Sequence, residues 1–475
     1  MRNRRTLIIH LLALAAFSAA LYLPMMGRGF ILDDFGHLFV AGQESVRFGL
    51  TRAAGGPYYT PVAYVSFKTD WILWGARPFP WAVTNLLLHI ANTVLLYFLA
   101  LRLWGSSMAA WWSAFGFALL FPANVVAVLW IATRAHLIAA LFYLAAMIAA
   151  LRFTRTENCK IGAAVAVIAC AAASMFAKES AVTVLAAIAI VIVYERVRQG
   201  RKVISLPHLG LMGGLLAALG VYLGLRANSG AIPINFSGGP ISYSLSPATL
   251  GKNLLVYGWR TYGLLTFVAI AVAVSLRLRG LRPRRGAVNK NYVLLSGLLF
   301  VVALAPFALL PKQPGIYSYL PGIPAALLLG AVAGSLCKGV FGRRRAAASL
   351  APIVLVVGVF VALTVKDSLK WIQLAEVNTA VLSQIAVQQP KVKPSTFVLL
   401  SYREADAASR FPEGFGNWCF PWALRVLYAD RTVDGKIIRQ GESYSIGDKL
   451  AEVHFSYVRG ESPTVIKTSR DLPQS

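Results

Sequence analysis

The chain has 475 residues, a mean hydropathy of +0.63 and 57% hydrophobic residues, a composition that excludes a soluble enzyme. Its formal charge of +27 would suit nucleic acid, but residues 1–366 hold 33 Lys/Arg against 7 Asp/Glu and the remainder 13 against 12. The excess belongs to the apolar part, where membrane topology accounts for it, so no nucleic-acid partner is expected.

Apolar runs of roughly 17–25 residues cross a bilayer as helices, because only internally bonded backbone is tolerated in hydrocarbon. Such runs lie near 6–26, 80–101, 107–121, 135–151, 161–176, 180–195, 206–225, 253–276, 292–310, 318–336 and 349–366. The first is read as a span and not a cleaved signal, since "YLPMMGRGF" has no small-x-small cleavage site. With the N-terminus "MRNRR" in the cytoplasm, the cytoplasmic segments are 1–5, 102–107, 152–160, 195–202, 277–290 and 337–345, with 21 Lys/Arg in 51 residues. The external segments carry ten in roughly twice that length, so the alternation holds throughout. Residues 1–366 are therefore expected to form an all-α polytopic domain of about eleven helices, N-in and C-out, and residues 367–475 an external domain. The run "RLRGLRPRRGAVNK" reads as topological, with anionic lipid its one plausible contact.

Only seven acids precede residue 367: Asp33, Asp34, Glu44, Asp70, Glu157, Glu179 and Glu195. Carboxylate chemistry on the external side must draw on Asp33, Asp34, Glu44, Asp70 or Glu179, four of them in the loop 27–79. The second half of that loop, "PYYTPVAYVSFKTDWILWG", has the aromatic, weakly charged composition of helices lying in the interface. Asp33 or Asp34 could equally cap the helix "FGHLFVAG". Asn85, His89 and Asn92 share one face of a span, where polar groups usually satisfy a neighbouring helix. The four cysteines (Cys159, Cys170, Cys337, Cys419) show no metal-ligand spacing, and a disulfide framework is not expected.

Five stretches carry a resemblance. "ILDDFGHLFV" resembles the acidic first-loop motif of the polytopic C-type glycosyltransferases, which use polyprenyl-phosphate sugars and include protein O-mannosyltransferases and the aminoarabinose transferases of lipid A. "RPFPWAVTNLLLHIANTVLLYFL" is similar to their second span, with Asn-x-x-x-His-x-x-Asn, and "FPANVVAVLWIATRAHLIAALFYLAAM" to the short helical pair that follows. "FAKESAVTVL" resembles their Lys-Glu turn and "YSYLPGIPAALLL" their Tyr-Leu-Pro-x-x-Pro helix start. The flavour is nearest to the membrane halves of tetratricopeptide-containing mannosyltransferases, although the tail has no 34-residue period. The chain departs at Ile316, near where relatives often place an Arg.

The resemblance implies sugar transfer from a polyprenyl-phosphate donor to an acceptor hydroxyl on a glycan, lipid or protein. It assigns Asp33 as general base and Asp34 as a supporting carboxylate. Arg134 and Lys178, at external helix ends, become the candidate cations for the leaving phosphate. Glu179 would orient Lys178, His89 would approach the substrate, and Tyr317 and Tyr319 would donate to the donor phosphate. His136 and Arg260 stand only as polar neighbours. No cofactor is expected; the Asp33-Asp34 pair lacks the Asp-x-Asp spacing that would support a divalent metal. A bacterial inner-membrane enzyme acting at the periplasmic face is the expectation. A flippase or a non-catalytic assembly factor is the alternative, though a transporter favours mid-membrane ionisable pairs and internal repeats.

The tail opens with the amphipathic "DSLKWIQLAEVNTAVLSQIAVQQ", followed by strand-like "STFVLLSY", "KLAEVHFSYV" and "TVIKTS" around an aromatic-rich middle. A small α/β or α+β domain is expected there, either holding the acceptor or capping the site.

Overall fold

A computed structural model describes residues 4–53, 58–155, 161–232, 242–278, 289–340, 351–402, 413–439, 451–457 and 464–468. The basic runs at 279–288 and 341–350 lie outside these residues. Helix α1 (Arg4–Tyr22) leads into a loop carrying α2 (Asp34–Gln43), α3 (Val46–Thr51) and α4 (Pro61–Trp74). Then follow α5 (Pro78–Trp104), α6 (Ser107–Ala118), α7 (Ala123–Leu129), α8 (Arg134–Arg155) and α9 (Ile161–Ala177). The rest of the bundle is α10 (Val184–Arg198), α11 (Leu206–Ala227), α12 (Pro247–Leu278), α13 (Lys290–Ala308), α14 (Tyr319–Val340) and α15 (Ala351–Gln388).

Among the described residues, nine helices are long and apolar enough to cross a membrane, and α6 with α7 supplies a tenth span bent by 67°. The eleventh expected span is α9, with 17 residues. The chain is an integral, multi-pass membrane protein. The sequence placed a span at 107–121; in the structure α6 ends at Ala118 and the chain bends by 67° into α7. Asn124 Nδ2 braces the turn by donating to the carbonyls of Phe117 (2.6 Å) and Ala118 (2.9 Å). The interfacial helices expected in the first loop are α2, α3 and α4, the last leaving Ile72, Leu73 and Trp74 exposed.

Without a hydrophobic force between helices in lipid, close packing needs small residues. Gly330 and Gly334 on α14 meet Ser113 and Ala109 on α6, and a Cβ at Gly330 would collide with Ser113 Oγ and the Ala109 carbonyl. Helix α15 does not stop at the membrane. Its 38 residues reach about 57 Å at 1.5 Å per residue, well past a ~30 Å hydrocarbon core, so it continues into the tail as a rigid stalk.

The stalk delivers a four-stranded sheet of β1 (Thr396–Tyr402), β2 (Asp434–Arg439), β3 (Ala451–Tyr457) and β4 (Thr464–Thr468), in the order β2-β1-β3-β4. Strand β1 runs parallel to β2 and β3, and β4 closes the far edge antiparallel. Every residue of the central β1 is buried, as its continuous apolar run requires. Helix α16 (Gly416–Tyr428) makes the crossover from β1 to β2. The sequence reading found β1, β3 and β4; β2 and α16 are additions.

Candidate active site

The loop after α1 is shaped by backbone that few residues adopt. Gly29 sits at φ +150°, and a Cβ there would meet Thr379 Oγ1 and the Ala375 carbonyl of α15. Leu32 is held at φ +48°, unfavourable for a bulky residue. Its amide donates to the Gly414 carbonyl of the tail at 2.8 Å. Asn378 on α15 closes the arrangement, donating to the carbonyls of Phe30 (3.0 Å) and Gly414 (2.7 Å). Tail and stalk together present the two acids that follow.

Asp33 occupies the N-cap position of α2 yet makes no side-chain cap bond. Its Oδ1 accepts from the Trp418 indole Nε1–H at 2.9 Å and from the Cys419 thiol at 3.5 Å, both on α16. Among the described residues nothing donates to Oδ2. Asp34 is 1% exposed, its Oδ2 accepting from the Ile31 amide (3.0 Å) and its Oδ1 from the Ala132 amide (2.7 Å). Burial pushes its carboxyl up to about 8 against the opposing pull of those amides.

Asp33 borders a cavity of about 620 Å³ whose walls also include Glu44, His37, Tyr58, His136, Lys178, Tyr317, Trp418 and Cys419. His37, one helical turn after Asp33, stacks on Phe67 at 4.4 Å. Burial pushes its imidazole down to about 4, with the Asp33 charge pulling the other way. Lys178 reaches the cavity from the break between α9 and α10. Its Nζ pairs with Glu179 Oε1 at 2.8 Å and lies 3.6 Å from the centre of the Tyr58 ring. Burial raises the Tyr58 phenol above its ordinary range. Tyr317 stacks on Phe307 at 4.5 Å, and His136 stands 5.9 Å from it. Among the described residues no three His, Cys, Asp or Glu side chains converge as metal ligands.

The structure thus brings Asp33, Lys178 and Tyr317 to one chamber, with Glu179 behind Lys178. It does not bring the other expected residues there. Asp34 is consumed by backbone amides. Arg134 is wholly buried: Nη1 pairs with Asp70 Oδ2 at 2.7 Å, Nε donates to Asn85 Oδ1 at 2.8 Å, and Nη2 to the Trp81 carbonyl at 2.8 Å. It stitches α4, α5 and α8 together and does not border the cavity. His89 and Tyr319 bond each other at 2.9 Å inside the bundle, and Asn92 Nδ2 donates to the same phenol at 3.1 Å. That is the inter-helix packing expected of the Asn85, His89 and Asn92 face.

His37, Tyr58, Trp418 and Cys419 were not anticipated, and His136 was anticipated only as a neighbour. The i, i+4 spacing of Asp33 and His37 was the available signal for one of them. At the opposite end of the bundle a depression of about 460 Å³ surrounds Glu195, whose carboxylate is held by Arg155 at 2.8 Å. That pairing makes it a structural clasp on the basic side.

No family model matches the sequence, and no curated protein resembles it significantly. Solved structures do share its fold. ArnT from Cupriavidus metallidurans bound to undecaprenyl phosphate aligns at 12% identity and TM-score 0.54, covering 91% of this chain and 86% of the other. The apo state of the same protein aligns at 14% identity and TM-score 0.52, covering 92% and 86%. The Archaeoglobus fulgidus oligosaccharyltransferase, in complex with Zn and sulfate, aligns at 11% identity and TM-score 0.48, covering 89% and 61%. The two ArnT alignments cover about nine-tenths of this chain, so the chain shares the ArnT fold.

Proposed function

We propose that the chain is an integral-membrane glycosyltransferase that moves a sugar from a polyprenyl-phosphate donor to an acceptor hydroxyl, with Asp33 as general base. The observation that carries this reading is the cavity itself. Its wall holds a carboxylate with an unencumbered oxygen, Asp33, and a buried lysine, Lys178, while its other carboxylate, Glu44, is paired with Arg431. The fold around it is shared with a protein crystallised with undecaprenyl phosphate.

The chemistry follows from those positions. The acceptor hydroxyl attacks the anomeric carbon through an oxocarbenium-like state, and its proton passes to Asp33 Oδ2. The new C–O bond forms as the bond from the anomeric carbon to the phosphate oxygen breaks, and the lipid phosphate leaves with that electron pair. Lys178 meets the charge that develops on the phosphate, and Tyr58, Tyr317 and His136 line the same wall as hydrogen-bonding groups. No cofactor is required by this sequence of events.

The Lys/Arg count puts this end of the bundle outside the cytoplasm, where lipid-linked sugars are consumed, and we assign the protein to a bacterial inner membrane with the chamber facing the periplasm.

Mass spectrometry of lipid and surface-glycan fractions from a deletion strain tests the reading. A sugar-bearing molecule should disappear, return with the wild-type gene, and stay absent or fall by ~10²–10⁴ in rate with Asp33→Asn. A deletion that alters no glycan removes the transferase; full restoration by Asp33→Asn removes the base.

A further inference from the structure

We infer that the soluble tail is half of the active site, and that Trp418 is a positioning residue whose indole N–H aims the Asp33 carboxylate at the acceptor. This rests on Asp33 being the base.

Four contacts from outside the membrane domain fix the acid. The Gly414 carbonyl holds the Leu32 amide, Asn378 bridges Phe30 and Gly414, and Trp418 and Cys419 both donate to Asp33 Oδ1. Phe35 stacks on Phe415 at 5.7 Å and Phe39 packs on Trp422 at 5.2 Å, so α2 and α16 are coupled along their length. At the rim Arg431 pairs with Glu44 at 3.1 Å. A structural cap would seal a chamber with apolar contacts. Here two donors converge on one oxygen of the one carboxylate that takes no cap bond, leaving the second oxygen for chemistry. Trp418 nonetheless leaves 62% of its surface exposed while bordering the cavity, so it lies on the route by which an acceptor reaches Asp33. An indole in this setting does two jobs, presenting an N–H to the acid and an apolar face to an incoming ring.

A donor to an ionised carboxylate favours its charged form, so removing it makes the acid harder to ionise. Full-length Trp418→Phe in membranes from the deletion strain, which carry their own donor and acceptor, keeps the ring and loses the N–H. Formation of the product identified by the deletion should fall ~10-fold in kcat/KM, with the acid limb of its pH profile moving up by about one pH unit. Cys419→Ala should move the limb the same way by less, and carries the test if Trp418→Phe does not fold. An acid limb that stays in place in both proteins overturns the positioning role. So does a loss of activity in Trp418→Phe that merely tracks a loss of folded protein while Cys419→Ala leaves the limb unmoved. Transfer that survives Asp33→Asn would instead remove the base on which the inference stands.

Discussion

Two adjacent carboxylates of one loop are held in opposite circumstances, and the difference sets what each can do. Asp33 faces a cavity with one oxygen unengaged, whereas Asp34 lies under the loop with both oxygens on backbone amides. Because burial raises Asp34 from the ordinary carboxylate range to about 8, the folded protein keeps a proton that the unfolded chain has shed between those limits. The stability this contributes is complete in acid and is lost as pH rises through 8. His37, pushed down to about 4, acts in the opposite sense, its contribution being gained as pH rises from 4 to about 6.5. Between pH 6.5 and 8, then, Asp34 is the one of the two still titrating. The thermal midpoint of the purified wild-type protein should fall across that window, by an amount equivalent to roughly 1–2 kcal/mol. Asp34→Asn should start lower, since its one carbonyl oxygen can accept from only one of the Ile31 and Ala132 amides, and should show a flatter profile. Equal slopes in the two proteins would mean that Asp34 is already ionised in the folded state.

At the scale of helices, the cation nearest the site in sequence logic proves to be a joint. Arg134 opens α8, and its guanidinium ties that helix to Asp70 on α4 and to Asn85 and Trp81 on α5. It also lies over the Phe67 ring at 4.7 Å. Removing one member of a buried ion pair strands the other, at a cost of about 3–5 kcal/mol. Arg134→Ala should therefore lose thermal stability and yield, and the double variant Arg134→Met/Asp70→Leu should recover much of both. If Arg134→Ala melts like wild type while the donor KM rises, the residue binds substrate after all. The sequence could place Arg134 at a helix end but not say which way its side chain turns, because that depends on α4, which packs from 60 residues away. Spans were legible because each is a sum over some twenty residues. Strand β2 was not, since "DGKIIR" is short and opens on an Asp-Gly pair, and α16 hid its period behind Pro421 and a run of aromatics. Asp33 was legible because acids are so rare in this chain. Trp418, 385 residues further on, is tied to Asp33 only by the docking of the tail.

The whole molecule is polarised along the membrane normal. At one end lie Glu195 and its arginine clasp, and at the other Asp33, Lys178, Tyr317 and the sheet domain on its stalk. An odd number of crossings requires the two termini to lie on opposite sides, and the eleven expected spans each find a helix or a bent pair in the structure. The direction we propose for that polarity rests on the sequence alone: the segments expected to be cytoplasmic carry 21 of the 33 Lys/Arg of residues 1–366, as the positive-inside bias requires. Two reporters with opposite requirements test it, alkaline phosphatase, active only after export, and a fluorescent protein, bright only inside. Fused after Ser475, the phosphatase should be active and the fluorescent protein dark. Fused after Gly200, at the turn following α10, the pattern should reverse. Inverted results at both sites would turn the molecule over and put the chamber in the cytoplasm. Matching results at the two sites would mean an even number of crossings between them, so that one of α11 to α15, α11 with its exposed Leu206, Leu209 and Leu216 included, does not cross.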